Sequence, residues 1–367
     1  MKVYNFSAGP SMLPEEVKLS AQKNFLDYEG SGMSVTEMSH RSKWYDAIHM
    51  EALASLRELM NIPNNYEILF VQGGASQQFD AVPLNLLQKG RADYIVTGNF
   101  SGKAEKAARK YGDIQIAASS KDKNFTYIPE GVSFRDDIDY VHICQNNTIF
   151  GTRYTERTFP KTDATIVADL SSNILSEVID VNKYGLIYAG AQKNVAPAGV
   201  TIVIVRKDLI GKENPLCPTM LAYKTQADAS SLYNTPPCFS IYMAMLVFRH
   251  LKSIGGVSAI QQINEYKANL LYDFIDNSAL FTNPVNHLDR SIMNVPFVTG
   301  DDELNAKFVK EAEKAGLVSL KGHKLVGGMR ASIYNAMPVE GVRSLIEFMK
   351  KFEMENRHVC FTHFKQN

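Results

Sequence analysis

A lysine surrounded by small and apolar residues is the first position in this sequence that could do chemistry. Lys193 lies in YGLIYAGAQKNVAPAGVTIVIV (184–205), and no other charged residue occurs from Gly185 to Val205. Burying a charged lysine in such surroundings is costly unless the charge is removed or bonded. An imine with an aldehyde cofactor would remove the charge and make the lysine a covalent catalyst. Lys193 is therefore a candidate Schiff-base lysine.

An aspartate lies near the end of the strongly apolar run ATIVADL (164–170). Asp169 would stand at the edge where open α/β sheets bind their ligands. It is either a helix cap or a charge partner for a cationic ligand atom. Because Lys193 follows the next predicted strand, both side chains can reach the same crevice.

Two adjacent glycines mark a third candidate position, in FVQGGASQQFDA (70–81). Glycines let backbone N–H groups approach an anion, and the following helix start adds unpaired donors and a positive dipole end. The segment either binds a phosphate or is only a tightly packed strand-to-helix turn. It lacks the Lys-Ser/Thr ending of a P-loop. The chain also has no GxGxxG motif, which argues against a dinucleotide site.

Together, these three segments predict a site for pyridoxal 5'-phosphate. The glycine-rich helix start would bind the phosphate, and Asp169 would keep the pyridine nitrogen protonated. Lys193 would bind the aldehyde and then transfer protons. Phe100, which follows the predicted strand ADYIVTG (92–98), could stack on the cofactor ring.

The elements that must position these residues alternate between helices and short apolar runs, from about residue 45 to residue 260. Such a pattern indicates an α/β architecture with a largely parallel sheet covered by helices on both faces. The predicted strands are 66–72, 92–98, 114–119, 140–145, 164–170, 186–190 and 200–206. The predicted helices are 45–60, 79–87, 240–276 with a break at Gly255-Gly256, 304–315 and 339–354.

Beyond Pro236-Pro237 the pattern changes to that of a smaller α+β domain. We expect a large domain of residues 16–258 and a small domain formed by residues 1–15 and 259–367. Lys plus Arg equals Asp plus Glu at 39 each, so no bulk charge attracts nucleic acid or an anionic membrane. The N-terminus shows no signal peptide, and no run approaches the roughly 20 apolar residues of a membrane span. The sequence therefore predicts a cytoplasmic protein.

The stretch DLSSNILSEVIDVNKYGLIYAGAQKNVAPAGVTIVIVR (169–206) closely resembles the core of the phosphoserine aminotransferase family. Four other motifs match this family in the same order, so the resemblance covers essentially the whole chain. They are NFSAGPSMLP (5–14), MSHRS (38–42), GGASQQF (73–79) and GHKLVGGMRASIYNAMPVEGV (322–342). The resemblance implies the fold type I of pyridoxal-phosphate-dependent transferases, in class V, with a mostly parallel seven-stranded sheet.

The resemblance also implies roles for individual residues. Lys193 would carry the cofactor, Asp169 would face its pyridine nitrogen, and Phe100 would stack on its ring, where the family commonly has tryptophan. Thr148 would bond the phenolic oxygen of the cofactor. The cofactor phosphate would be bound by Ala75, Ser76 and Gln192, and across a subunit interface by Asn234 and Thr235. These last two residues imply an obligate homodimer with active sites at the interface.

Substrate recognition follows from the same resemblance. Arg330 is the candidate for the α-carboxylate, because a planar guanidinium binds a carboxylate through two parallel hydrogen bonds. The distal phosphate or γ-carboxylate would be bound by His40, Arg41, His323 and Lys324. Ser76 and Lys324 stand where members of the family have arginine. Binding of the cofactor phosphate must therefore depend more on backbone N–H donors. The distal anion would be bound by the ammonium group of Lys324 and not by a bidentate guanidinium.

The implied reaction is a reversible ping-pong amino transfer from L-glutamate to 3-phosphohydroxypyruvate, in serine biosynthesis. Formation of 4-phosphohydroxy-L-threonine, in pyridoxine biosynthesis, is a further possibility. The alternatives are an alanine–glyoxylate-type aminotransferase or a cysteine desulfurase of the same fold, the latter needing a reactive cysteine. A non-catalytic ligand- or metal-binding protein is the alternative from another class. His358, Cys360 and His363 lack a fourth ligand nearby in the sequence, so we predict no metal.

Overall fold

Residues 2–363 are described by a computed structural model, with side chains described up to residue 356. Its strands are β1 (Tyr4–Asn5), β2 (Tyr66–Val71), β3 (Arg91–Val96), β4 (Asp113–Ser119), β5 (Tyr140–Cys144), β6 (Thr165–Asp169), β7 (Leu186–Gly190), β8 (Thr201–Arg206), β9 (Asn294–Phe297), β10 (Leu317–Val318) and β11 (Met329–Ser332). Its helices are α1 (Glu15–Lys23), α2 (Lys43–Leu59), α3 (Gly74–Leu86), α4 (Asn99–Ala108), α5 (Tyr223–Asp228), α6 (Cys238–Ser253), α7 (Gly256–Asn277), α8 (Asp302–Lys314) and α9 (Val339–His363).

The main sheet has seven strands in the order β2-β8-β7-β6-β5-β3-β4. From β7 to β4 all neighbouring strands are parallel, whereas β8 is antiparallel to both β7 and β2. All seven predicted strands are present, so the predicted α/β fold with a mostly parallel sheet is confirmed. The carboxyl ends of β2, β3, β5, β6 and β7 consequently meet at one edge of the sheet.

Successive side chains along a strand of this sheet point to opposite faces. Ile68 and Phe70 pack in a core with α2 and α6, whereas Leu69 packs in a second core with α3 and α4. This is the two-residue period of a strand that is buried on both sides. The predicted helices correspond to α2, the end of α3, α6 with α7, α8 and α9, whereas α1, α4 and α5 were not predicted.

A separate core forms around β9, which pairs antiparallel with β11, and around β1, which pairs parallel with β10. It contains Phe6 from the N-terminus together with residues between Ala268 and Phe352. Helix α7 contributes to both cores, through Ile260 to the first and Leu271 to the second. We propose that these cores are the large domain of residues 16–258 and the small domain of residues 1–15 and 259–367. No helix within residues 2–363 is long and apolar enough to cross a membrane.

A buried lysine on α7 holds the segment that follows β11. Lys267 is fully buried, and its Nζ donates to the carbonyl oxygens of Ile333 (3.0 Å), Tyr334 (2.8 Å) and Met337 (2.9 Å). No carboxylate among the described side chains forms an ion pair with it. Burial therefore lowers the pKa of Lys267 to about 7.

Replacing Lys267 by methionine is expected to lower the free energy of unfolding by about 3 kcal/mol or more, because each buried carbonyl left unpaired costs about 1–3 kcal/mol. An unfolded lysine keeps its ordinary pKa of 10.5. Between these two pKa values the folded state binds fewer protons than the unfolded state, so the contribution of Lys267 to stability increases with pH. Urea unfolding of both proteins at about pH 6 and about pH 9 measures this difference. A difference that does not change with pH would contradict the lowered pKa.

Candidate active site

The predicted catalytic residues lie on the segments that follow the strands at one edge of the sheet. This is the edge where open α/β sheets bind ligands. After β2 comes Gly73, after β3 Phe100, after β5 Thr148, at the end of β6 Asp169, and after β7 Lys193. The topology therefore brings these five residues to one edge of the sheet.

Lys193 is the centre of this group. Its Nζ donates a hydrogen bond to Thr148 Oγ1 at 2.6 Å and lies 4.9 Å from the centroid of the Phe100 ring. Burial lowers the pKa of Lys193, against the opposing effect of the Asp169 carboxylate. Since only the neutral amine is a nucleophile, a lowered pKa is the property that a Schiff-base lysine requires.

Asp169 is a buried carboxylate at the end of β6. Its Oδ1 accepts a hydrogen bond from the backbone N–H of Ser171 at 2.8 Å, and the Ser171 hydroxyl accepts one from the N–H of Gly190 at 3.0 Å. Burial raises the pKa of Asp169, and the nearby Lys193 charge and the bonds from Ser171 oppose this rise. A buried carboxylate so placed fits a cationic partner such as a protonated pyridine nitrogen, because the partner would compensate the buried charge.

The N-terminal segment closes over the loop that carries Lys193. The backbone N–H of Ser11 donates to Gln192 O at 3.0 Å, and its hydroxyl donates to Lys193 O. Gly9 has a φ of +139°, and a Cβ at this position would lie 3.0 Å from Lys193 Cγ. A larger residue there would therefore press on the catalytic side chain. Sequence reasoning matched this segment to the family but did not assign it a function, since no local pattern reveals so distant a contact.

The glycine-rich turn precedes a helix whose first N–H groups lack a side-chain cap. Gly73 and Gly74 have φ values of +91° and +68°, and no side chain caps the start of α3. Free N–H groups at a helix start are suited to a phosphate. Ala75 is partly buried, Ser76 is exposed, and Gln192 is partly buried immediately before Lys193. These positions are compatible with the predicted phosphate site, which stays a prediction.

Asn234 and Thr235 lie on the rim of the same sheet edge. Asn234 Nδ2 donates to Gln72 Oε1 at 3.0 Å, next to the glycine-rich turn, whereas the side chain of Thr235 is exposed. Asn234 is therefore close to the glycine-rich turn of its own chain. The predicted contact across a subunit interface stays a prediction.

A group of cationic side chains surrounds the other side of Lys193. Arg330, on β11, lies with Nη1 3.4 Å from Thr148 O, and its Nε is buried without a hydrogen-bond partner among the described residues. Burial lowers the pKa of His323, and the charges of Arg330, Lys324 and Lys103 lower it further. Arg330, His323 and Lys324 therefore lie close together, as their predicted roles require.

Lys103 also belongs to this group, although the sequence did not identify it as a candidate site residue. It lies three residues after Phe100, its Nζ is 5.9 Å from the centroid of that ring, and its side chain is exposed. Residues three apart share a face of a helix. The helix α4, had it been predicted, would have placed Lys103 beside Phe100.

His40 and Arg41 form no hydrogen bond or ion pair with this site in the described part of the chain. They precede α2; His40 Nε2 is buried without a hydrogen-bond partner among the described residues, and Arg41 is exposed. No hydrogen bond or ion pair in residues 2–356 connects either side chain with Lys193 or Arg330. Their predicted role in binding the distal anion stays a prediction.

The remaining chemical candidates are cysteines and histidines. Burial raises the pKa of Cys144, Cys217 and Cys238, so none of these three is an activated thiolate. Within the described residues, no group of three or more His, Cys, Asp or Glu side chains could bind a metal ion. The histidines and the cysteine at positions 358, 360 and 363 lie outside the described side chains.

Comparison with known proteins gives consistent results along the whole chain. The family profile "Aminotransferase class-V" matches residues 3–345. A phosphoserine aminotransferase of Bacillus cereus is 56% identical over 360 residues, which are 97% of this chain and 99% of the relative. The similarity is therefore not limited to the site.

Solved structures agree with this similarity. Phosphoserine aminotransferase from Bacillus circulans subsp. alkalophilus has a TM-score of 0.94 and 45% identity, covering 97% of this chain and 99% of that chain. The phosphoserine aminotransferase from Trichomonas vaginalis with bound pyridoxal phosphate has a TM-score of 0.91 and 37% identity, covering 95% of this chain and 100% of that chain.

Proposed function

This chain belongs to the class-V aminotransferase family and, within it, to the phosphoserine aminotransferases, and on this premise we propose its reaction, cofactor and site residues. It transfers an amino group reversibly from L-glutamate to 3-phosphohydroxypyruvate, giving 2-oxoglutarate and O-phospho-L-serine. The observation that carries this proposal is the near full-length identity of 56% to a curated phosphoserine aminotransferase. Its geometric support is the presence of Lys193 and Asp169 together at the ligand-binding edge of the sheet.

The cofactor is pyridoxal 5'-phosphate, which supplies an aldehyde for covalent attachment and a ring that withdraws electrons. The residues present fit this group. Lys193 offers a partly buried amine, Asp169 a buried carboxylate for the ring nitrogen, and Phe100 an aromatic face. Thr148 Oγ1, now bonded to the amine, would bond the phenolic oxygen. Ala75, Ser76 and Gln192 would bind the phosphate, and Asn234 and Thr235 would contact the phosphate of the cofactor in the other subunit.

Lys193 would hold the cofactor covalently, and its amine, when free, would serve as the base that accepts and returns the substrate proton. A lowered pKa suits this task, because it increases the fraction of the amine that is unprotonated and able to accept a proton. Arg330 binds the α-carboxylate that both substrates share. Its Nε has no hydrogen-bond partner in the described part of the chain, so a bidentate pair with a carboxylate would satisfy a buried donor.

The distal anionic group of each substrate is bound by the cationic cluster of His323, Lys324 and Lys103. His40 and Arg41 are proposed to contribute to the same pocket. The predicted contacts of Asn234 and Thr235 across a subunit interface make the proposed enzyme a homodimer with its active sites at the interface. It acts in the cytoplasm, in serine biosynthesis. A longer phosphorylated hydroxy-keto acid would present the same two anionic ends, so formation of 4-phosphohydroxy-L-threonine is a second proposed activity, in pyridoxine biosynthesis.

The test is glutamate-dependent amino transfer by the purified, cofactor-loaded protein, with 3-phosphohydroxypyruvate and pyruvate as alternative acceptors. We expect a strong preference for the phosphorylated acid, because only it offers a distal anion to the cationic cluster. Equal use of pyruvate would contradict the substrate assignment and leave an aminotransferase of the same fold. The longer phosphorylated acid is measured in the same assay.

Replacing Lys103 by methionine is expected to raise the KM for 3-phosphohydroxypyruvate by about 3- to 10-fold, the range for losing one exposed charge near a phosphate. The KM for pyruvate is expected to stay unchanged. Lys106→Met is the matched control, since Lys106 is also exposed on α4. Equal effects of the two substitutions, or an equal change with pyruvate, would remove Lys103 from the proposed site.

A further inference from the structure

One buried amide in the loop after β5 connects three segments of the chain. Asn146 is 2% exposed, and its Nδ2 donates to Ser172 Oγ at 2.8 Å and to Asn294 Oδ1 at 2.9 Å. Its Oδ1 accepts from Ser291 Oγ at 2.5 Å. The side chain therefore joins its own loop to the segment after Asp169 and to the start of β9 in the proposed small domain.

The network continues from Asn294 toward both Arg330 and Lys193. Asn294 Nδ2 donates to Ser332 Oγ at 3.0 Å and to the hydroxyl of Tyr334 at 3.1 Å. Ser332 lies on β11, two residues after Arg330. The Tyr334 hydroxyl donates to Ala8 O at 2.8 Å, and the next residue is Gly9, which packs on Lys193.

The loop that contains Asn146 lies between the side chains of Lys193 and Arg330, which this network approaches from two sides. Thr148, two residues later, contacts Lys193 through its hydroxyl and Arg330 through its carbonyl. Met329 and Ala331, which flank Arg330, belong to the small core, whereas Ala191, near Lys193, belongs to the core with α2 and α6. The distance between Arg330 and Lys193 therefore depends on how β9 and β11 are fixed to this loop. A carboxylate bound bidentately by Arg330 must place its Cα next to Lys193, and an error of about 1 Å in such placement costs about 100-fold in rate.

We propose that Asn146 is a positioning residue: by tying the Thr148 loop to Asn294 and Ser291, it sets the distance between Arg330 and the Lys193 amine. The inference rests on the proposed function, since it assumes that Arg330 binds the substrate α-carboxylate. An amide is needed because it donates twice and accepts once within one plane. A fully satisfied buried network of this kind specifies a single arrangement of the groups around it.

The test compares Asn146→Ala with Asn85→Ala in the cofactor-loaded enzyme. Asn85 is a matched control, because it is also a buried amide that donates twice, to Ala81 O and Leu221 O, and accepts once, from the N–H of Tyr223. It lies at the end of α3, away from Lys193 and Arg330. Both substitutions remove a similar set of hydrogen bonds, so we expect similar losses in Tm.

The expected difference lies in substrate binding. Asn146→Ala should lower kcat/KM for both glutamate and 3-phosphohydroxypyruvate by up to about 100-fold, and a rise in KM of about 10-fold or more should form part of this loss, because both substrates present an α-carboxylate to Arg330. A defect of folding alone lowers the active fraction, and hence the apparent kcat, while KM stays unchanged. Asn85→Ala should behave in this second way. Equal KM values in the two variants would overturn the proposal.

A double-mutant cycle tests whether Asn146 acts through Arg330. Adding Asn146→Ala to Arg330→Lys should change kcat/KM by less than about threefold, because the contact that Asn146 positions is already weakened. Full additivity would contradict the proposal. Where Asn146→Ala does not fold, Ser291→Ala, which removes one hydrogen bond to the same amide, must show the same rise in KM and the same coupling. If the wild-type enzyme itself does not use glutamate, the proposed function fails, and that outcome is seen before any variant is measured.

Discussion

Replacement of Lys193 by alanine is expected to abolish amino transfer while leaving the fold intact. The variant loses both the covalent attachment of the cofactor and the general base, and a general base alone contributes about 10²–10⁴-fold. We therefore expect kcat to fall by more than about 10⁴-fold. Asp169, Phe100 and Thr148 remain in place, so the variant should still bind pyridoxal phosphate without a covalent bond.

Steady-state kinetics with glutamate and 3-phosphohydroxypyruvate measures this loss, and mass spectrometry after borohydride reduction measures covalent attachment. Lys106→Ala is the control, because Lys106 is exposed and lies outside the site. The assignment of Lys193 would be wrong if its alanine variant kept more than a few per cent of the wild-type rate, or if reduction still fixed the cofactor to the chain.

Asp169→Asn is expected to lower kcat by about 10²–10⁴-fold, although the substitution keeps the size and one hydrogen-bond acceptor of the side chain. The amide carries no charge, so it cannot hold a proton on the ring nitrogen, and the cofactor becomes a weaker electron sink. In the wild-type enzyme a bound cation would counter the effect of burial, which by itself raises the pKa of Asp169.

The matched control for Asp169 is Asp93→Asn on β3, which is separated from β6 by β5 in the same sheet. Asp93 is also buried, but it pairs with Arg135 away from Lys193. Its substitution should lower stability and leave kcat per folded molecule nearly unchanged. A similar loss of kcat in both variants would show that Asp169 acts only through the fold.

The strand ends that carry the site could be predicted from the sequence. Apolar runs such as 164–170 and 186–190 are buried on both faces, so their composition marks the strands to within about a residue. Consecutive parallel strands end at the same edge, and this rule alone brings Asp169 and Lys193 together. The resemblance to a family then added the roles of Thr148 and Arg330.

The contacts that hold these residues in place could not be predicted in the same way. Gly9 packs on Lys193, and Asn146 bonds to Asn294, across sequence separations that no local pattern spans. A polar residue in a loop has the same appearance in the sequence whether it is solvated or fully bonded. The burial of Lys267 could not be predicted either. Helical periodicity does not reveal that this lysine donates hydrogen bonds to three backbone carbonyl oxygens.

The continuous course of α7 through both cores has a mechanical consequence. The helix has 22 residues and is therefore about 33 Å long, and Ile260 and Leu271 anchor its two halves in different cores. A hinge at this boundary would have to break consecutive backbone hydrogen bonds within a helix, which has no proline or glycine in its interior to ease bending. We therefore expect the two proposed domains to move as one rigid body during turnover.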